Sequence, residues 1–550
     1  MAPNTLDTPS AGDRGTGIAR PWWFWTGVIL SCAGIALHLP MFFAMRTMHY
    51  RMAGMAMDGS PAMTAGMALL IVGLVAAVIG LVHRAPSADA AAAAGRYHVA
   101  PGPQQRLTPA HRRLIAALSL ALIIDVMKPA TLAFIIPGMR EEYGIGAPEA
   151  AALPVVALTG TIVGSLVWGW LADRLGRRAT ILLSSLMFIT TTVCAVMPSF
   201  EWNLVMCLVM GAAAGGLLPI AYALMAESVP ARQRSVVMVL QAGLVTVAAY
   251  FFTSALAAAL IPVFGWRIMW LTHFPFAVVI LLVNRWIPES PRFLVRYGRV
   301  AEAERIVADY QMVLVREEGK QAPNPTPQQG TVSALFGRRV LVKTLVAGGY
   351  ALSWGIVNWG FMTFLPTLLG TSSGGLVLPL SSLLAVPGTV AVAWLYARWS
   401  SRRTMVLSGV VTVLALLCLA VADRAGSGPA TFGPLALLLI GTGGAVATLA
   451  PYAAEIYPTN VRGAASGFTA ACTKAGGLFA PPLLGLLLAH YPGMRVIALV
   501  AAAPMALATV AVALKGRETA GRELDGEMPK ATPVAVGRVA DDRGASAGIA

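Results

Sequence analysis

In the stretch LIIDVMKPATLAFIIPGM, residues 122–139, an aspartate and a lysine three positions apart interrupt an otherwise apolar run. An ionised side chain at mid-bilayer costs about 2.5 to 3.5 kcal/mol on insertion scales, so Asp125 and Lys128 require an offset. Residues three apart share a helix face, so the pair can neutralise itself and both groups can turn toward an interior cavity. Pro129 lacks the N–H that would bond the carbonyl of Asp125, which predicts a kink at that level. A carboxyl in a wetted, moving span suits proton coupling, and Asp125 and Lys128 are the candidates for it; the bland alternative is a static ion pair that only orients the helix.

A third intramembrane charge is Lys474, in ACTKAGGLFAPP, about a dozen residues into its apolar run and too deep to snorkel. Two lysines against one carboxylate leave a positive site, whose field favours a small organic anion over a cation or a neutral sugar. Lys474 is accordingly a candidate substrate-binding residue, with Tyr350, Trp354 and Asn358 (and Trp359) of another run beside it if the anion is aromatic. Aromatic residues in such runs also pack or sit at interfaces.

These groups need elements to carry them. The chain has 550 residues, 57 % apolar and 12 % charged, against about a quarter charged in soluble domains. Apolar runs of roughly 20 residues, long enough to cross the bilayer, recur along its length, which predicts an all-α membrane protein of about fourteen transmembrane helices. With the N-terminus inside, Arg46, Arg51, Arg140, Arg267, Arg424 and Arg495 are the basic residues outside. The net charge of +15 therefore reports orientation and contact with anionic lipid headgroups, not nucleic acid. The reading is a multi-pass protein of the plasma (cytoplasmic) membrane with both termini cytoplasmic. Cys32, Cys194, Cys207, Cys418 and Cys472 all fall in predicted spans without C-x-x-C spacing, so they read as packing residues and neither a metal site nor a cofactor is expected. No nucleophile–base pair, phosphate loop or H-E-x-x-H is present to suggest an enzyme.

Two repeats divide the chain. Glu227-Ser-Val-Pro-Ala-Arg-Gln-Arg234 returns in the second half as Glu455-Ile-Tyr-Pro-Thr-Asn-Val-Arg462, and at nearly the same offset GWLADRLGRRAT (169–180) has a weaker echo in WLYARWSSRRT (394–404). The plan that follows is a tail and two-helix extension over 1–112, a six-helix bundle over 113–287, a cytoplasmic loop over 288–338, a second six-helix bundle over 339–515 and a tail over 516–550. In the loop, Val300, Ala303, Ile306, Val307, Tyr310 and Val313 recur at helical spacing before the linker QAPNPTPQQG.

Gly169-Trp-Leu-Ala-Asp173-Arg174-Leu-Gly176-Arg177-Arg178, PESPRFL (288–294) and EIYPTNVRGAASG (455–467) resemble the loop signatures of the major facilitator superfamily, in its sugar-porter and metabolite:proton symporter branch. The resemblance covers residues 113–515 and implies two bundles rocking around a central cavity. It also implies a cytoplasmic gate in which Asp173, Arg174 and Arg178 pair with Glu227 and Glu289, and Arg402 or Arg403 with Glu455, latching the bundles together; Arg234, Arg292 and Arg462 belong to the same motifs. The sequence departs from the family pattern at Arg398 and Ser401, which stand where the first half has Asp173 and Gly176, and at Cys207, where an arginine is common.

Outside that resemblance, the loop between the first two helices carries Met41, Met45, Met48, Met52, Met55, Met57, Met63 and Met67 beside His38 and His49. Thioethers and imidazoles suit Cu(I), and methionine is equally an apolar filler. The leading expectation is a proton-coupled symporter of a small organic anion. The alternatives are an efflux pump for drugs or other solutes on the same fold, and a copper permease or sensor built on the methionine hairpin. Oligomeric state is not legible.

Overall fold

The computed structural model describes residues 18–52, 61–82, 97–101, 106–316, 335–338, 340–370, 375–422, 429–457 and 462–519. Met55, Met57, Arg424, the linker QAPNPTPQQG, the side chain of Arg462 and the tail from residue 520 lie outside them.

The extension is a helical hairpin, α1 (Pro21–Ala36) and α2 (Pro61–Leu81). The first bundle comprises α3 (Pro109–Tyr143), α4 (Ala152–Leu175), α5 (Arg177–Thr190), α6 (Phe200–Ser228), α7 (Ala231–Phe264) and α8 (His273–Val283). After a short α9 (Val300–Asp309), the second bundle begins with α10, which runs from Leu341–Gly355 through a π-helical turn at Ile356–Phe361 into Met362–Leu369. It continues with α11 (Val377–Arg398), α12 (Ser401–Ala422), α13 (Phe432–Ile456), α14 (Arg462–His490) and α15 (Met494–Lys515). Among the described residues 13 helical segments are long and apolar enough to cross a membrane, and α10 with its π turn makes the fourteenth. Hydrocarbon offers the backbone no hydrogen bonds, so each span satisfies its own within a helix.

Two large apolar cores form among the described residues, one mainly in each bundle. The hairpin shares the first: Phe24, Ile35, Leu70 and Ala77 belong to the same cluster as α3, α5 and α6. Glycines set the close approaches. A methyl group on Gly27 would strike the backbone of α2 at Gly73, and one on Gly164 or Gly211 would strike Ala212 or Ala157 across the α4–α6 crossing, as expected where small residues let helices touch. Met45 and Met52 are buried, with Met41, Met63 and Met67 packed against the same core, so these methionines act as apolar filler.

Helix α3 runs as a single helix through Pro129 and Pro137. One local expectation changes. The amphipathic helix stops at Asp309, and Val313 lies instead in a strand, β2 (Met312–Arg316), paired antiparallel with β1 (Tyr97–Pro101) in the register Tyr97↔Arg316 and Pro101↔Met312. The run Val313-Leu-Val315 prefers a strand once a partner is available, and that partner comes from a segment before the first bundle, remote along the chain. The all-α plan therefore carries one two-stranded ribbon beside the bundles.

Candidate functional site

Asp125 lies within α3, 4 % exposed, and its Oδ1 has no hydrogen-bond partner. It makes no direct ion pair with Lys128. Lys128 is fully buried and turns to the end of α5, where its Nζ donates to the carbonyl of Phe188 at 2.8 Å and to the hydroxyl of Thr191 in the turn that follows, 3.6 Å from the centre of the Phe188 ring. A shared helix face allowed the intrahelical pair, but three oxygen- and π-rich contacts on a neighbouring helix hold the ammonium better than one carboxylate does. Lys128 is thus a strut inside the first bundle and does not face a cavity. Asp125 is the titratable group left with unused hydrogen-bonding capacity.

In the second bundle the candidates also separate. Tyr350 is fully buried and donates to the carbonyl of Met405 at 2.9 Å, and the Trp354 indole donates to the carbonyl of Thr442 at 2.9 Å. Both tie α10 to its own bundle, because a buried Tyr or Trp must satisfy its polar tip, so their polar atoms are already taken up by backbone carbonyls. Asn358 sits in the π turn, 8 % exposed, with its Oδ1 buried and unpartnered; such turns recur at functional sites. Lys474, partly buried on α14, reaches across to the first bundle, to the hydroxyl of Ser165 at 3.2 Å and the carbonyl of Thr161 at 3.5 Å on α4. Among the described residues it makes no ion pair. A cation in the membrane interior, at the seam between the bundles and held only by neutral oxygens, has charge to spare for an anion.

At the end carrying the loop signature, Gly176 adopts φ 95°, and a side chain there would strike the Glu289 carboxylate. That turn aims the first backbone N–H groups of α5 at Glu289, which accepts from Arg177 at 2.7 Å and Arg178 at 3.2 Å, as an anion does at a helix N-terminus. Glu227 pairs with Arg177 at 2.6 Å and accepts from the Ser290 hydroxyl at 3.0 Å. Arg178 therefore meets Glu289 as expected, while the partner of Glu227 is Arg177 and not Arg174. Asp173 and Arg174 are exposed, Arg174 lying over the Trp170 ring, because the last turn of α4 points them away from the corner that Gly176 creates. Arg234 donates to the carbonyl of Val229 at 3.3 Å, and Arg292 is exposed.

The second half repeats this corner with a residue the sequence reading missed. Glu518 accepts from the backbone N–H of Ser401 at 2.9 Å and from its hydroxyl at 2.7 Å, at the N-terminus of α12. Thr519 donates to Glu455 at 2.5 Å, as Ser290 does to Glu227. Glu455 also accepts from the Tyr396 hydroxyl at 3.1 Å, and Arg402 donates instead to the carbonyl of Ala513, so neither it nor Arg403 pairs with Glu455. The missed signal is the recurrence of Glu289-Ser290 as Glu518-Thr519, at nearly the offset of the other repeats. Each contact named above lies within one half of the chain. Between the bundles the same end is closed by apolar contact, with Val239 of α7 against Ala393 and Tyr396 of α11 and Ala447 of α13. Glu518→Ala is expected to lower stability by about 2 kcal/mol, the sum of a helix-terminus charge and orphaned donors; an unchanged thermal midpoint in detergent would count against the capping role.

Burial pushes the Glu289 carboxyl above its ordinary value of 4.5, opposed by the N–H groups of Ser290, Arg177 and Arg178 and by the Arg178 charge. A raised carboxyl pKa means the folded chain binds the proton more tightly than the unfolded chain. Its stabilising contribution is therefore complete below 4.5 and lost as pH rises through the raised value. Glu289→Gln, which keeps an acceptor but does not titrate, should flatten the fall of the thermal midpoint above pH 4.5. Parallel curves for the two proteins would remove Glu289 from the effect.

At the opposite end the bundles enclose a cavity of about 1050 Å³ between α3, α7, α10 and α11, with the loop after α1 as one wall. Its floor at Phe134 stands about 13 Å of helix rise from Asp125.

The two repeated corners, on two bundles joined by a long loop, match in order and position a single family. The model of the Major Facilitator Superfamily matches residues 118–481 and again 375–543. The chain belongs to the major facilitator superfamily. Among relatives of this superfamily, the niacin transporter NiaP of Acinetobacter baylyi is 27 % identical over 436 residues, 76 % of this chain and 96 % of that protein. The 4-hydroxybenzoate transporter PcaK of Pseudomonas aeruginosa is 27 % identical, covering 75 % of this chain and 94 % of its own length. The fold is similar to that of the Escherichia coli xylose transporter XylE, whose matched structure was solved in a partially occluded inward-open conformation, with a TM-score of 0.60 at 15 % identity over 76 % of this chain and all of that one. The protein is a membrane transporter and not an enzyme. The α1–α2 hairpin lies before residue 118, where the family match begins.

Proposed function

We propose that this transporter is a proton-coupled symporter of a small organic anion, an aromatic monocarboxylate, working by alternating access. It would sit in the plasma membrane with both termini in the cytoplasm, its halves 113–287 and 339–515 rocking about the seam that Lys474 spans. The observation that carries the reading is Lys474 itself, a cation between the bundles with no carboxylate partner among the described residues. A solute carboxylate would draw the ammonium from Ser165 and Thr161, so solute binding and the contact between halves compete for one group, and that competition couples occupancy to rocking. Asn358 supplies an unused acceptor, which suits a protonated ring nitrogen or a hydroxyl on the solute. Asp125, with free hydrogen-bonding capacity, is the group whose protonation would shift the balance of states. The corners at Glu227/Glu289 and Glu455/Glu518 would serve as the cytoplasmic hinge points.

The named substrates of the two relatives, niacin and 4-hydroxybenzoate, are both rings bearing one carboxylate, which supports the same solute class here. The test is uptake of nicotinate and of 4-hydroxybenzoate by proteoliposomes with and without an imposed proton gradient. Uptake indifferent to the gradient removes the coupling, and transport of neutral or cationic solutes in preference to these acids removes the anion.

A further inference from the structure

The loop after α1 does more than connect two helices. It is pinned to the first bundle by an ion pair from Arg51 to Glu141, by the backbone N–H of Met52 donating to Glu142 at 2.6 Å, and by Tyr50, whose ring packs between Phe42 and Phe264. His49 and Tyr50 hold left-handed backbone angles, φ 51° and 59°, which residues other than glycine seldom adopt and which persist here because the packing over-determines them. The effect is to present Arg46 and His49 to the cavity of about 1050 Å³ at the end opposite the signature corners.

The charges of that cavity do not cancel. Its two carboxylates are engaged, Glu141 with Arg51 and Glu142 with the buried Arg267 at 2.8 Å. Arg46 and His49 line the same space, are exposed, and form no ion pair among the described residues. Beside them stand the rings of Phe43, Phe134 and Trp266. We infer that the hairpin builds an outer binding station for an aromatic carboxylate, with Arg46 and His49 taking the carboxylate and the rings taking the apolar face. A guanidinium matches a carboxylate in two hydrogen bonds, and a cationic cleft raises the local concentration of an anion before it reaches the seam. This inference rests on the proposed solute class but not on Lys474.

Equilibrium binding of labelled nicotinate to the purified full chain separates the two sites. The expected result is two nicotinates per chain, falling to one in Arg46→Ala and to a different one in Lys474→Gln, with Arg46→Lys restoring part of the outer site. Proteoliposome uptake at subsaturating nicotinate should fall about tenfold in Arg46→Ala at low ionic strength, and the deficit should shrink as salt is added. Thr47→Ala, on the same exposed loop but outside the cavity lining, should leave both measurements unchanged. One nicotinate per chain, lost in Lys474→Gln and untouched by Arg46→Ala, would overturn the outer station and leave the seam reading standing. Loss only in Arg46→Ala would do the reverse, and equal loss in Thr47→Ala would overturn the station as a disturbance of the loop.

Discussion

Asp125→Asn is expected to reduce gradient-driven uptake on the order of a hundredfold, the scale on which a single proton-transfer group matters, while exchange of labelled for unlabelled solute at equal pH continues. The amide has nearly the shape of the carboxyl and keeps its polar atoms, so α3 should pack as before. What it loses is the ability to gain and release a proton. The buried, unpartnered Oδ1 of Asp125 leaves the charged form sustained by little besides its more distant lysine, and on the proposed mechanism protonation there would change which arrangement of the bundles is stable. Accumulation against a proton gradient equal to that of the unmodified protein would exclude Asp125 from coupling. A parallel Lys128→Met should behave differently, because Lys128 bonds to Phe188 and Thr191: its main cost should be thermal stability, from a stranded carbonyl and hydroxyl.

Lys474→Gln is expected to raise the KM for an aromatic carboxylate by about ten- to a hundredfold, the worth of one charge-assisted hydrogen bond of roughly 1.5 to 3 kcal/mol. Gln retains a donor for Ser165 and Thr161, so the seam should survive and the loss should fall on the anion. Discrimination between nicotinate and the neutral nicotinamide should collapse at the same time. An unchanged KM, or an equal loss for both solutes, would show that Lys474 does not read the carboxylate.

Much of the architecture is legible in one dimension. The number of spans follows from the length of apolar runs, and α10 is recovered even though a π turn interrupts its regular pattern. The two-bundle plan follows from repeats that share nearly one spacing, and Glu518 lay within reach of that spacing, since Glu289-Ser290 recurs as Glu518-Thr519. The strand pair Tyr97–Pro101 and Met312–Arg316 was not legible, because strands this short carry little periodicity and the partner is remote.

The site divides along the same line. That Asp125, Lys128 and Lys474 are unusual, and that intramembrane charge must be used or held, is a property of residue type and position in an apolar run, and the order of residues alone establishes it. Which partner each one meets depends on how the helices pack. A helical residue turns about 100° from its neighbour, so one position's change in facing sends Lys128 to Phe188 and Thr191, gives Glu227 to Arg177 instead of Arg174 or Arg178, and buries Tyr350 and Trp354 in their own bundle. Cost in the membrane is a one-dimensional quantity. Its relief depends on where a second helix happens to place an oxygen.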